Sequence, residues 1–231
     1  MSPTLANATS FLECLADFAQ KTLLDPITKK LESQKLKTDK GKIRLGKFLG
    51  AGLKGMVYEI RPRGGGKPTQ VIKLPRLSLL TSSRFQYAED SILLEIKDLE
   101  TVQAQLGKIE MNEKYPKKPA WKKGSIPMVP IEDVVETEEY GTGLVKPFVK
   151  ARALKDIPDL TEEQAESLKE LYAFTDLVDA SIPGFKMDIK TSNIIWIDDP
   201  ALKLRIGISR NSFILSEMGQ ANVQIPKRPI P

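Results

Sequence analysis

Polar and apolar positions in the first third of the chain alternate as in strands and then change to the period of a helix. Apolar residues at 43–48 precede a glycine-rich segment and apolar residues at 57–60 follow it, which predicts a strand–loop–strand unit. A further apolar run at Gln70–Leu74 follows a turn at 63–68 and predicts another strand. Between 87 and 106 the apolar positions recur with a helical period, which predicts a long helix.

The second half of the chain continues this mixture of strands and helices. Apolar runs at 128–135 and 143–149 predict two strands. The segment 161–164 has the residues of a capping box, which indicates the start of a helix that ends near 182–184. The expected core face of that helix consists of Leu168, Leu171, Tyr172, Leu177 and Val178.

The glycine-rich segment fits the pattern G-x-G-x-x-G-x-V, with Gly50, Gly52, Gly55 and Val57 at the defined positions. Glycine allows the backbone of a hairpin to lie close to phosphate groups, where a side chain would collide. Lys54 adds a cation within the same segment. A dinucleotide-binding fingerprint would run from a strand into a helix, which the predicted strand–loop–strand unit disfavours. An ordinary glycine-rich hairpin is the alternative.

Two charged residues stand out within the predicted apolar elements. Lys73 lies in the middle of an apolar strand, where a charge is costly unless it is used. The alternative for Lys73 is an edge strand from which the side chain reaches water. Glu95 lies beside the apolar stripe of the long helix, which favours it over its competitors Glu89 and Glu100 as a carboxylate that faces inward.

The segment 186–195 places Asp188 five residues before Asn193, with Lys190 between them. This spacing is typical of a loop whose carboxylate orients an attacking hydroxyl group and whose amide binds a metal ion. D-x-K-x-x-N also occurs by chance. The order of the four motifs therefore matters more than any one of them: glycine-rich hairpin, strand lysine, helix glutamate and loop aspartate.

In this combination and order, the motifs resemble those of the protein-kinase superfamily between about residues 43 and 210. The resemblance implies an α+β, two-lobed fold with a β-rich N-lobe and a reduced helical C-lobe. It divides the chain into an N-terminal extension with a helix at 1–40, an N-lobe at 41–149, and a minimal C-lobe at 150–231. The last part would hold the catalytic loop and a Pro-rich tail.

The resemblance also implies ATP and Mg²⁺ as cofactors and assigns roles to single residues. Lys73 would contact the phosphates, Glu95 would orient Lys73, and Asp188 would orient the substrate hydroxyl. Lys190 would neutralise the γ-phosphate, and Asn193 would bind the metal ion. The other nucleotide contacts are expected from the hairpin and from the hinge after the strand at 143–149: Gly50, Gly52, Lys54, Gly55, Val57 and Phe148.

One carboxylate of the kinase pattern is not evident. The metal-binding aspartate of a D-F-G segment is expected about 14 residues after the loop asparagine, and Gly207 stands there within a strand-like run at 203–211. Either the metal site is altered, or Asp198 or Asp199 replaces the ligand, or the chain is inactive. Asp198, Asp199 and Pro200 are typical of a turn, which disfavours the replacement.

Three function hypotheses follow from these observations. The leading one is an ATP-dependent protein kinase that acts on Ser/Thr hydroxyls. The alternative is a pseudokinase that serves as a binding module, which Gly207 favours. A small-molecule kinase of the aminoglycoside or choline type is the third, and Lys190 and the short second lobe disfavour it.

The sequence ends at residue 231, so little chain follows Asn193. The segments 185–195 and 206–211 are similar to the minimal kinases that bacterial pathogens secrete into host cells. This narrower resemblance implies a cytoplasmic-type protein that a bacterium delivers into a host cell, with a host protein as substrate. No apolar run predicts a membrane span, and the N-terminus lacks the features of a secretory signal peptide.

The net charge of +5 is mild, but lysines cluster at 114–123 around Tyr115 and Trp121. Such a loop is either a patch for acidic partners or nucleic acid, or a solvated loop with Trp121 packed against the protein. Nucleic acid is not the expected partner.

Overall fold

The computed structural model describes residues 31–51, 55–75, 82–187 and 189–218, and within residues 82–91 it describes the backbone only. Several expectations lie outside the described residues. They are the helix near the N-terminus, the Pro-rich tail, and three candidate site residues, Gly52, Lys54 and Asp188.

Six antiparallel strands form a closed barrel. Their bounds are Lys35–Thr38 for β1, Gly41–Ala51 for β2, Met56–Ile60 for β3, Gln70–Leu74 for β4, Asp133–Thr137 for β5 and Gly141–Pro147 for β6. Their order is β1-β2-β3-β4-β6-β5, and the barrel closes where Thr38 pairs with Thr137. The predicted strand at 128–135 begins later than expected, and Met128 and Val129 are buried in a second core instead.

Alternation along the strands fills the barrel with apolar side chains. Leu45, Met56, Tyr58 and Ile72 are buried in one apolar cluster, with Phe48 packed against it. The rings of Phe48 and Tyr58 have centroids 5.3 Å apart. Because successive side chains of a strand point to opposite faces, every strand residue between two interior positions faces outward.

The long helix α1 (Ser82–Glu110) connects the barrel to the second apolar core. Val102, Leu106 and Ile109, on its C-terminal half, are buried in that core. The helix extends beyond the predicted 87–106 at both ends, because apolar periodicity marks only the part of a helix that packs. In the described part of the chain, no helix combines the length and the apolar character needed to cross a membrane.

The second core is formed by a helix and a small antiparallel sheet. The strands are β7 (Arg152–Ala153), β8 (Ile194–Ile197) and β9 (Ser212–Leu215), in that order, and helix α2 (Glu162–Ser181) packs against β9. The predicted capping box of α2 is confirmed, since Thr161 and Gln164 satisfy each other's backbone groups. The prediction that Tyr172 lies on the core face of α2 is wrong, since Tyr172 is 38% exposed.

A short helix, α3 (Pro200–Ile206), is inserted between β8 and β9. Asp199 caps its start by accepting hydrogen bonds from the backbone of Ala201 and Leu202, and Pro200 occupies the first helical position. The strand predicted at 203–211 is therefore wrong: the segment is the end of α3 and a connection, and the strand β9 begins at Ser212. The pair Asp–Pro is as typical of a helix start as of a turn.

Candidate functional site

The candidate site begins on the outer face of β4 and β6, where α1 packs against the barrel. Ile72 and Val145 lie opposite each other in the register and belong to the barrel core. Lys73 and Lys146 follow them in sequence and therefore face α1. Both lysines are buried, with 7% and 6% of their surface exposed. Lys73 thus does not reach water from an edge strand, which was the alternative for it.

Glu95 of α1 pairs with both of these lysines. Its Oε2 accepts a hydrogen bond from Nζ of Lys73 at 2.8 Å, and its Oε1 accepts one from Nζ of Lys146 at 2.5 Å. Nζ of Lys73 also donates to Oε2 of Glu217 at 2.7 Å. Two ammonium groups and two carboxylates thus form one network. The competitor Glu100 is exposed, whereas Glu95 is 2% exposed.

Burial and pairing act in opposite directions on the charges of this network. Burial alone would raise the pKa of Glu95, but the charges of Lys146 and Lys73 and their hydrogen bonds hold it at about 2. Burial alone would lower the pKa of Lys73, but Glu95 and Glu217 more than offset it and keep it above its ordinary value. Lys73 is therefore a buried cation at neutral pH, as a phosphate-binding lysine must be.

Asn193 and Glu217 meet at the end of the small sheet. Asn193 directly precedes β8, and Glu217 lies two residues after β9. The backbone N–H of Ser216 donates to the carbonyl of Asn193 at 2.8 Å, which extends the β8–β9 pairing to the site. Nδ2 of Asn193 donates to Oε1 of Glu217 at 3.3 Å. Glu217 thereby links the asparagine of the predicted catalytic loop to Lys73.

Gly207, the residue expected at the position of the metal-binding carboxylate, lies at the end of a helix and not in a strand. Gly207 ends α3 in the left-handed conformation, with φ of 75°, and its carbonyl accepts from the backbone N–H of Lys122. Helix α3 lies between β8 and β9, and the carboxylate that lies beside Asn193 is that of Glu217, after β9. The expected interval of about 14 residues between the asparagine and the carboxylate holds for a direct connection between two strands, and α3 lengthens that connection here.

A signal for Glu217 was present in the sequence. The apolar run of β9 is followed by Glu217, Met218 and a glycine, which has the form of D-F-G with a longer carboxylate and a different apolar residue. Met218 is 1% exposed and packs in the second core, so it anchors the segment next to Glu217. Lys146 was also missed, although it stands in an apolar strand just as Lys73 does.

The described ends of the glycine-rich segment lie in β2 and at the start of β3, and β3 pairs with the strand that carries Lys73. The segment joins β2 to β3, and Val57 of β3 is directly opposite Lys73 of β4 in the register. Ala51 pairs with Met56 at the base of the hairpin. A Cβ atom on Gly55 would lie 2.5 Å from the carbonyl oxygen of Leu74, so only glycine fits there. The hairpin can therefore pack tightly against the strand that carries Lys73.

The predicted catalytic loop is held at both ends. The backbone N–H of Met187 donates to Asp179 Oδ1 of α2 at 2.8 Å, and that of Asn193 donates to the carbonyl of Lys190 at 2.8 Å. Asp188, between these ends, lies outside the described residues, and Lys190 is exposed. Phe148 follows β6 and is half-buried, with its backbone N–H bound to the carbonyl of Thr69 at 2.8 Å.

Glu217 and Asn193 offer oxygen donors that fit Mg²⁺. A carboxylate and an amide are hard ligands, and magnesium is commonly held by one or two protein carboxylates together with water and substrate phosphates. Over the described ranges, no three His, Cys, Asp or Glu side chains come together as a fuller metal cage. The donor set therefore suits a metal ion that arrives with a phosphate ligand.

The lysine-rich loop at 114–123 lies apart from this network. Trp121 is buried in the second core, and its Nε1–H donates to the hydroxyl of Tyr115 at 3.0 Å. The lysines of this loop, in contrast, are exposed. This arrangement agrees with a solvated loop that is fastened by its aromatic residues.

No family model matches the chain, and no curated protein matches it. Among solved structures, its neighbours are protein kinase domains at low sequence identity. The PknI kinase domain of Mycobacterium tuberculosis is 15% identical, with a TM-score of 0.38, over 78% of this chain and 59% of that one. A point mutant of the same domain is 14% identical, with a TM-score of 0.39, over 78% and 60%.

The Rio2 kinase from Chaetomium thermophilum, in an ADP/Mg²⁺-phosphoaspartate complex, is another neighbour. It is 14% identical, with a TM-score of 0.34, over 85% of this chain and 51% of that one. The chain thus spans about half to three fifths of the kinase chains it matches. At these values the function has to be argued from the site itself.

Proposed function

We propose that this protein is an ATP-dependent protein kinase that transfers phosphate to Ser/Thr hydroxyls. One observation carries the proposal: a buried strand lysine, Lys73, binds a helix glutamate and a second carboxylate, Glu217, which in turn contacts Asn193. The strand that follows the glycine-rich segment pairs with the strand of this lysine. Phosphoryl transfer requires such a grouping of cation, metal-binding oxygens and backbone around the phosphates.

In this proposal each residue of the network has one task. Lys73 turns from Glu217 to the α- and β-phosphates, and Glu95 keeps its ammonium group in place. Asn193 and Glu217 would hold Mg²⁺, which would supply positive charge against the phosphate oxygens. Asp188 orients the substrate hydroxyl and takes its proton, while Lys190 faces the γ-phosphate. Gly50, Gly55, Val57 and Phe148 contribute to the nucleotide pocket, together with Gly52 and Lys54.

The transfer itself exchanges one phosphorus–oxygen bond for another. The hydroxyl oxygen of the substrate forms a bond to the γ-phosphorus, the bond between that phosphorus and the bridging oxygen breaks, and ADP leaves. The chain's residues contribute mainly position and charge, as in other phosphoryl transfers. Glu217 is one methylene longer than the usual aspartate, so we expect it to reach the metal ion with its backbone set further away.

We also propose the finer features that the sequence resemblance implies. These are a two-lobed kinase fold with an N-lobe at 41–149 and a C-lobe at 150–231, and membership among the minimal kinases that bacteria deliver into host cells. The support for the second is the segment 185–195, since 206–211 is the end of α3 and the connection that leads into β9. In this proposal Glu217 takes the role of the metal-binding carboxylate, which removes the observation that favoured the pseudokinase alternative.

The test is a Mg²⁺-dependent ATP titration followed by a phosphate-transfer assay on Ser/Thr-containing proteins. At 100 times the Kd, ATP should add about 2.7 kcal/mol to the free energy of unfolding of the parent chain. Lys73→Met should abolish this stabilisation, and Glu217→Gln should remove its dependence on Mg²⁺. Lys67→Met, an exposed lysine in the turn before β4, is the matched control and should behave as the parent.

Asp188→Asn distinguishes an enzyme from a binding module. If the chain is a kinase, this variant retains ATP binding and loses transfer, because an amide orients the hydroxyl poorly and cannot take its proton. An unaltered thermal shift in Lys73→Met, or no ATP-dependent shift in the parent, would contradict the proposal. ATP binding without transfer in the parent would favour the pseudokinase.

A further inference from the structure

Lys146 is a second buried cation at the candidate site. It lies on β6, two positions after Leu144, which is opposite Lys73 in the register. Its side chain is 7% exposed, less than that of Lys73 at 9%. A lysine at such a position needs partners, because an unpaired buried charge is strongly destabilising.

Two contacts satisfy this ammonium group, and they belong to different parts of the molecule. Nζ of Lys146 donates to Oε1 of Glu95 on α1 at 2.5 Å and to the carbonyl of Ser216 at 3.4 Å. Ser216 directly precedes Glu217. Lys146 therefore touches the helix that carries one carboxylate of the network and the backbone that carries the other.

The two lysines divide the oxygens of Glu95 between them. Lys73 holds Oε2 and Lys146 holds Oε1, so neither lysine competes with the other. Lys73 is in addition shared with Glu217. Lys146 contacts the other oxygen of Glu95, so its contact does not depend on which second acceptor Lys73 binds.

We propose that Lys146 is a positioning residue that keeps Glu95 and the Ser216–Glu217 backbone in place before nucleotide binds. It acts through Glu95 and Glu217 and has no contact with the reacting atoms. This inference rests on the proposed function for its catalytic consequence, but its structural part does not. A site that is already assembled without nucleotide needs no separate activating event to bring α1 inward.

The proposal predicts an asymmetry between the two lysines. Loss of Lys73 leaves Glu95 paired with Lys146, so α1 stays docked. Loss of Lys146 leaves Glu95 dependent on the lysine that also serves Glu217, so the N-terminal part of α1 opens more often. If Lys73 were the only anchor of Glu95, the asymmetry would be reversed.

Hydrogen exchange of the full chain without nucleotide tests this directly. In Lys146→Met we expect backbone amides at 92–100 to exchange at least about tenfold faster than in the parent, and in Lys73→Met less than about threefold faster. Lys42→Met, an exposed lysine on β2, is the matched control and should leave the exchange unchanged. Lys146→Arg keeps the cation and should retain most of the protection.

Steady-state kinetics distinguish a positioning role of Lys146 from a purely structural one. In Lys146→Met the KM for ATP should rise by about tenfold while kcat stays within about threefold, because part of the binding free energy of the nucleotide is used to restore the arrangement. Equal exchange in Lys146→Met and the parent would overturn the proposal. So would a Lys146→Arg chain that exchanges as fast as Lys146→Met.

The two proposals fail in different ways. A chain that does not bind ATP contradicts the kinase function, yet its exchange pattern still decides the role of Lys146. A chain that phosphorylates proteins normally but shows faster exchange in Lys73→Met than in Lys146→Met retains the function and loses this inference.

Discussion

The barrel and the small sheet position their site residues by different means. The barrel places Lys73 and Lys146 on its outer face, where both lysines are buried and pair with the carboxylate of Glu95. The small sheet places Asn193 and Glu217 by backbone hydrogen bonds at its end, next to an apolar core. One side of the site thus depends on electrostatics for its stability, and the other depends on packing.

The largest effect should come from the charges on the barrel side. Glu95→Ala leaves Lys73 and Lys146 buried without this carboxylate, so we expect the free energy of unfolding to fall by about 3–5 kcal/mol. Urea denaturation measures this. Glu138→Ala, which removes an exposed partner of Lys37, should cost about 0–1 kcal/mol. Similar losses in the two variants would show that the buried network contributes no more than a surface pair.

Packing on the sheet side gives the next largest effect. Met218→Ala should lower the free energy of unfolding by about 2–4 kcal/mol, because the truncation leaves a cavity in the second core. Met111→Ala is the matched control, since Met111 is 86% exposed and should change little. If Met218→Ala proved as mild as Met111→Ala, the segment after β9 would not depend on this side chain.

Acid should destabilise the barrel side more than the sheet side, with a smaller change in the free energy of unfolding than the two substitutions above. The pKa of Glu95 is held at about 2, below its ordinary value of 4.5. Its contribution to stability is therefore fully present above pH 4.5 and is lost as the pH falls toward 2. Compared with the parent, Glu95→Gln should show a weaker loss of stability over this range in pH-dependent urea melts. Parallel curves would contradict the role of the Glu95 charge.

The smallest effect concerns the position that the sequence analysis assigned to the metal ligand. Gly207→Asp places a side chain at φ of 75°, which should cost about 1 kcal/mol. Because Gly207 only ends α3, the change should not increase Mg²⁺-dependent ATP binding. Calorimetric titration checks this, and a clear gain in Mg²⁺-dependent affinity would restore Gly207 to the metal site.

The elements that sequence reasoning recovered are those with a local signal. The capping box of α2, the strand of Lys73 and the helix of Glu95 each follow from nearby residues, and the Lys73–Glu95 ion pair follows from their order. The position of Glu217 beside Asn193 could not be predicted, because it depends on the number of residues that α3 occupies between the paired strands β8 and β9. Lys146 could not be predicted either, since its place beside Lys73 is set by the pairing of β4 with β6, two strands that are far apart in the sequence.

The long helix α1 connects the Glu95 network to the second core. Glu95 lies seven residues before Val102, or roughly 10 Å along the axis of α1, and Val102, Leu106 and Ile109 pack that end of the helix into the second core. The helix is therefore fixed at two places: its C-terminal half packs in the second core, and Glu95 binds Lys73 and Lys146 of the barrel through salt bridges. A rotation of α1 about its packed C-terminal half would change the distances from Glu95 to the ammonium groups of Lys73 and Lys146.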